Sequence, residues 1–204
     1  MKRIFLETNK NTTPEYVFVK TLMERYSSED FEIVVVGGKD NLRNAVNEFK
    51  KSTINGDRNL LLFDADSELN GGGFVSRSRE LSELRRSLGI EFDIFLFPNN
   101  KDDGDFELLL ENIARQDIHG ERFFRCFSNY EECLSSHIGM DGQPMYLCPN
   151  RKAKVYSYIT SMKLSNAERK MIGKGYWLFD NEAYWNLDSE YILPLKEFLL
   201  KHKD

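Results

Sequence analysis

The chain is poor in the residues that most readily announce a chemistry. It has three cysteines, Cys126, Cys133 and Cys148, an odd number without CxxC spacing. That argues against a disulfide framework and against a zinc site, and the three are expected to be buried thiols. Three histidines, His119, His137 and His202, are scattered with no ligand spacing, so no role is assigned to them. No apolar run approaches the ~20 residues of a membrane span, and the apolar part of Met1 to Leu6 is too short for a signal peptide. A cytoplasmic protein without a membrane partner is the expectation. Positive charge is not in excess either: 28 Lys and Arg against 33 Asp and Glu leave a formal charge of -5. This disfavours nonspecific coating of nucleic acid, although a local basic patch would still serve a phosphate backbone. There is no internal repeat and no low-complexity linker.

What the chain does have is one strongly marked stretch, Asn59 to Glu68. A continuous apolar run, Leu60-Leu61-Leu62-Phe63, leads directly into Asp64-Ala65-Asp66. Such a run reads as a strand buried on both faces, as in a parallel sheet. The two aspartates then lie at its carboxyl end, where open α/β sheets bind ligands. Residues two apart on an extended strand point the same way, and two carboxylates in one crevice suit a divalent cation such as Mg2+. The competing reading makes Asp66 or Ser67 the start of a turn, or one aspartate a helix cap.

The rest of the chain alternates strand and helix. Strands are expected at Lys2 to Leu6, Phe31 to Val36, Leu60 to Phe63 and Phe92 to Phe97. Helices are expected at Pro14 to Tyr26 with Thr13 as N-cap, at Asp40 to Lys51, at Phe74 to Leu88 and at Phe106 to Ile113. This β-α repeat calls for an α/β fold, a mainly parallel four-stranded Rossmann-like sheet flanked by helices. After residue 120 the pattern changes. Helices at Ser128 to Ser136, Lys152 to Met162 and Tyr191 to Lys201, the last interrupted at Pro194, make residues 121–204 a helical extension packed on a domain of residues 1–120. The aromatic-rich segment from Tyr176 to Trp185 is expected to cover the core.

If the first and third strands are neighbours, Glu7 joins Asp64 and Asp66 at one edge, and the fourth strand brings Asp102, Asp103, Asp105 and Glu107 there. Acids ahead of a helix also favour its positive end, and Asp105 has the position of a cap for Phe106 to Ile113. Arg77, Arg79, Arg85 and Arg86 are interspersed with Glu80 and Glu83, the pattern of a solvated helix face. Gly71-Gly72-Gly73 lacks the lysine and hydroxyl of a P-loop and reads as a mobile turn, positioned where a lid would sit. Arg151, Lys152 and Lys154 beside Tyr156 and Tyr158 would suit a nucleic-acid backbone, with the tyrosines expected to pack.

An acid after the first strand and Asp-x-Asp after the third, within such a repeat, resemble the Toprim domain of topoisomerases, primases and overcoming-lysogenisation-defect nucleases. Uncharacterised bacterial Toprim-like proteins share the pattern seen here in Phe97-Pro98 and Gly104-Asp105-Phe106-Glu107. The resemblance spans about residues 1 to 120, with a weaker echo at Lys152 to Tyr156. It implies that Glu7 does general acid or base work and that Asp64 and Asp66 hold Mg2+; the position of Asp103 and Asp105 at the same edge makes either a further candidate ligand for one or two Mg2+ or Mn2+ ions. The sequence departs from Toprim where a glycine usually follows the first acid: Thr8-Asn9-Lys10-Asn11-Thr12 stands there, and Lys10 is a candidate phosphate contact. The expected activity is metal-dependent cleavage of phosphodiesters, with nucleic acid as the candidate partner and bacterial defence as a setting. The alternatives are a Toprim-shaped interaction module without turnover and, less favoured, a metal-dependent phosphatase. The latter expects Gly-Asp-x-x-x-Asp, whereas Gly104-Asp105 is followed by Phe106-Glu107-Leu108-Leu109-Leu110.

Overall fold

A computed structural model describes residues 1–201, apart from the side chains of Asn70 and Gln116. His202 lies outside the described residues. Four strands, β1 (Lys2–Leu6), β2 (Phe31–Val35), β3 (Arg58–Asp64) and β4 (Asp93–Phe97), form one sheet in the order β2-β1-β3-β4. All pairings are parallel, with Leu6 opposite both Val35 and Leu62, and Asp64 opposite Phe97. The expected α/β architecture is what the chain adopts.

The strands alternate their side chains between two cores. Ile4, Leu6, Leu60, Leu62, Phe95 and Phe97 face one layer, packed by α1 (Pro14–Tyr26) and α4 (Phe106–Ile113). Phe5, Leu61, Phe63 and Leu96 face the other, packed by Leu42, Phe49 of α2 (Val46–Ile54) and Leu81 of α3 (Phe74–Leu88). Leu60 to Phe63 are all at most 1% exposed, and burying each side chain contributes about 1.5–3 kcal/mol. Residues 39–45 form a 3-10 segment before α2, so the helix expected at Asp40 to Lys51 is tighter at its start and ends later.

The carboxyl-terminal residues join the first core. They comprise α5 (Glu121–Ser135), α6 (Arg151–Thr160), α7 (Asn166–Ile172) and α8 (Leu193–Leu200). Val155, Tyr158, Ile159, Trp177, Phe179 and Trp185 are buried with the α1 and α4 side chains. Asn186 N donates to Ile113 O at 2.7 Å and Arg115 N to Tyr184 O at 3.0 Å, which stitches this segment to the end of α4. Pro194 lies in the first turn of α8, where a missing N–H costs nothing, and does not interrupt it. The three cysteines are exposed, contrary to expectation. Cys126 and Cys133 ride on α5, whose inward face is taken by Phe123, Phe124 and Phe127. No helix among the described residues is long and apolar enough to cross a membrane.

Candidate functional site

The in-register pairing of β1 with β3 carries the first candidate acids to the carboxyl edge together. Glu7 N donates to Leu62 O at 3.2 Å, extending the ladder by one residue. The Glu7 side chain then reaches across: its Oε2 accepts from Asp64 N at 3.1 Å. Asp64 Oδ1 accepts in turn from Phe106 N at 2.9 Å, at the start of α4. Neither acid has an ion pair among the described residues, and Glu7 Oε1 and Asp64 Oδ2 accept no hydrogen bond from them. Burial raises the Glu7 carboxyl above its ordinary range, against the opposing pull of the Asp64 N–H. Burial also raises Asp64, well above its ordinary range, and the nearby Glu7, Glu107 and Asp105 charges add to the effect. In both, burial disfavours the charged form; Arg77 and Lys39 offset this only in part at Glu7.

Glu7 and Asp64 open into a cleft of about 100 Å3 bordered by Phe97 and by Glu15 of α1. Glu15 Oε2 is buried without a hydrogen-bond partner, and its other oxygen lies 3.7 Å from Lys152 Nζ. Sequence reasoning passed over Glu15, which looks like an ordinary first-turn acid favouring a helix N-terminus.

The remaining predicted acids are at the same edge but face other partners. After Asp64 the chain does not stay extended: Asp66 has φ of 59°, so the two-residue alternation that would align it with Asp64 is broken. Asp66 exchanges backbone hydrogen bonds with Gly104, at 2.7 and 2.8 Å, and its Oδ2 accepts from Arg77 Nη2 at 2.6 Å. Arg77 is only 7% exposed, so the helix face read as solvated holds a buried cation. Asp103 Oδ1 accepts from Phe74 N at 2.7 Å and closes the start of α3. Asp105 caps α4 through Leu108 N at 2.8 Å and receives Arg151 Nη1 on both oxygens, at 3.0 and 2.8 Å. Lys10 is exposed in the turn after β1, without an ion pair among the described residues.

Two further expectations change. Arg151, Lys152 and Lys154 are engaged inside the chain, pairing with Asp105 and Glu111, with Glu15 and Glu107, and with Glu111. The three glycines after Asp66 are fastened by backbone hydrogen bonds to Glu68, Ser67 and Ala65. A Cβ on Gly72 would meet Asp66 Cβ at 2.5 Å and Ala65 O at 2.7 Å, so only glycine permits this approach.

No family model, curated protein or solved structure matches the chain. Its own geometry therefore carries the functional reading. Among the described residues no group of three or more His, Cys, Asp or Glu side chains converges tightly enough to hold a metal ion. The Glu7 and Asp64 pair still suits Mg2+, which is commonly held by one or two carboxylates plus water and substrate phosphate. The unpartnered Glu15 oxygen borders the same cleft but does not complete a three-acid cluster with them.

Proposed function

We propose that this chain is a Toprim-like protein that binds Mg2+ or Mn2+ and processes phosphodiesters, with nucleic acid as its substrate class. The observation that carries the proposal is the Glu7 and Asp64 pair: two carboxylates raised by burial at the ends of adjacent central strands, neither in a direct ion pair among the described residues, with Arg77 and Lys39 only partly offsetting the burial of Glu7. A bound divalent ion would neutralise charge building on a phosphate and acidify a water. Glu7, one of whose oxygens is held by Asp64 N while the other accepts no hydrogen bond from the described residues, is placed to take a proton from that water. The N–H groups of Asp64 and Phe106 hold the two carboxylates in orientation. Lys10, on the neighbouring turn, would meet the phosphate backbone. Asp66, Asp103 and Asp105 extend the acidic rim while engaged with their own partners.

The Arg77 contact on Asp66 favours a second reading, a Toprim-fold interaction module in which a protein cation has replaced part of the metal machinery. Incubation of the full chain with single- and double-stranded DNA and RNA, in Mg2+ or Mn2+, separates the two. Cleavage that disappears in Asp64→Ala supports the enzyme. Metal-dependent thermal stabilisation without cleavage supports the module, and phosphate release from small phosphomonoesters supports a phosphatase. Mn2+ binding unchanged in both Glu7→Gln and Asp64→Ala rejects the site.

A further inference from the structure

Arg77 replaces an apolar side chain on the inward stripe of α3, where Phe74, Leu81, Leu84 and Leu88 pack into the second core. Burying a guanidinium there is costly unless carboxylates meet it. Two do: Nη2 reaches Asp66 at 2.6 Å and Nη1 reaches Glu80 at 2.8 Å, while the other Glu80 oxygen binds Lys39 at 2.6 Å. Arg77 Nε is buried without a hydrogen-bond partner, so the two carboxylates alone orient the group. The Asp66 backbone is fixed by its paired bonds to Gly104, and Gly72 packs so near that a Cβ there would meet Asp66 Cβ at 2.5 Å.

From this arrangement we infer that Arg77 is a built-in counter-cation that keeps Asp66 out of metal coordination and limits the crevice to a single divalent ion at Glu7 and Asp64. The inference rests on the cation site proposed above. Arginine does not lose its charge at any physiological pH. A divalent ion approaching Asp66 would therefore meet a permanent like charge and would have to break an existing pair whose guanidinium is buried and whose carboxylate is partly exposed. Without Arg77, Asp66 would present a carboxylate at the same rim with nothing opposing a second ion.

The test is Mn2+ stoichiometry, read from the electron paramagnetic resonance signal of free Mn2+ during titration of the full chain. Wild type is expected to bind one ion, Arg77→Met two, and Arg77→Met combined with Asp66→Asn one again; Asp64→Asn loses the wild-type ion. Two ions on wild type, or a single ion on both wild type and folded Arg77→Met, overturns the inference and leaves the Glu7 and Asp64 site standing. No binding by wild type or Arg77→Met overturns both. No binding by wild type, with one ion on Arg77→Met that Asp66→Asn removes, keeps the blocking role of Arg77 and rejects the Glu7 and Asp64 site. Asp66→Asn alone covers the case in which Arg77→Met fails to fold. Mn2+ affinity should then stay at the wild-type value, and a loss of about tenfold or more, the size expected for a residue that serves a metal, overturns the inference.

Discussion

Asp105 is the residue at which a cap and a metal ligand make opposite predictions. Its Oδ1 accepts from Leu108 N at 2.8 Å, and both of its oxygens face Arg151. Removing an N-cap carboxylate costs about 0.5–2 kcal/mol. The ion pair adds less, about 0.2–1 kcal/mol, because both side chains are partly in water and Arg151 keeps Glu111 as a partner. Asp105→Ala should therefore lose about 1–3 kcal/mol, or roughly 4–8 °C in Tm for the central value at this chain length. Asp105→Asn keeps a capping oxygen and should lose less than about 1 kcal/mol. Urea unfolding followed by far-ultraviolet circular dichroism, on metal-free protein at neutral pH, measures both. The cap assignment is refuted if Asn costs as much as Ala, or if Asn weakens Mn2+ binding about tenfold, as loss of a coordinating group would.

The raised carboxyls of Glu7 and Asp64 set a pH dependence of definite sign. The folded chain holds protons that the unfolded chain releases above the ordinary values of 4.5 and 3.8, so their contribution to stability is full below that range. It falls as pH rises through it toward the raised values. Asp64→Asn should thus gain stability relative to metal-free wild type as pH increases, in paired unfolding curves, and a difference that is flat or shrinks with pH would contradict this. Trp185→Ala should cost about 3–5 kcal/mol, because the ring is fully buried against Tyr158 and Phe179 and its Nε1 donates to Trp177 O at 2.8 Å. A loss under about 1 kcal/mol in the same assay would place that ring outside the core. All three cysteines should react with a thiol reagent without denaturant, since all are exposed; any thiol that reacts only on unfolding would refute its placement.

Periodicity made the sheet legible because a doubly buried strand leaves little choice of residue: Leu60 to Phe63 could serve few other environments. Local chemistry made the caps legible too, with Thr13 accepting from Tyr16 N and Asp105 from Leu108 N. Features that depend on a distant partner were harder to read. The charge of Arg77 points to the solvated side, although its spacing from Phe74, Leu81, Leu84 and Leu88 is that of the buried stripe. A cation on an apolar stripe is a sign that an acid elsewhere in the chain must meet it. The short helix α7 also went unread, yet Ser165-Asn166-Ala167-Glu168 is a capping box and forms as one. Helix α5 begins earlier than expected because Phe123 and Phe124 pack on Tyr158, with Phe127 against Phe123. That partner lies in the extension and is invisible to a local window.

The distribution of counter-charge explains why the functional reading concentrates on two residues of a longer acidic rim. Arg77 from α3 answers Asp66. Arg151, Lys152 and Lys154 from α6 answer Asp105, Glu107, Glu15 and Glu111. The start of α3 answers Asp103. The carboxylates of Glu7 and Asp64, like that of Asp103, accept from backbone N–H groups, and Glu7 feels Arg77 and Lys39 without a direct ion pair. Since α6 lies beyond residue 120, the extension supplies much of the neutralisation and so takes part in setting the field of the sheet edge. Leaving two like charges desolvated lowers the stability of the folded chain. Asp66, Asp105, Glu107, Glu15 and Glu111 each meet a cation, whereas Glu7, Asp64 and Asp103 meet backbone N–H groups; Glu7 and Asp64, whose carboxyls burial raises, are the pair on which the proposed cation site rests.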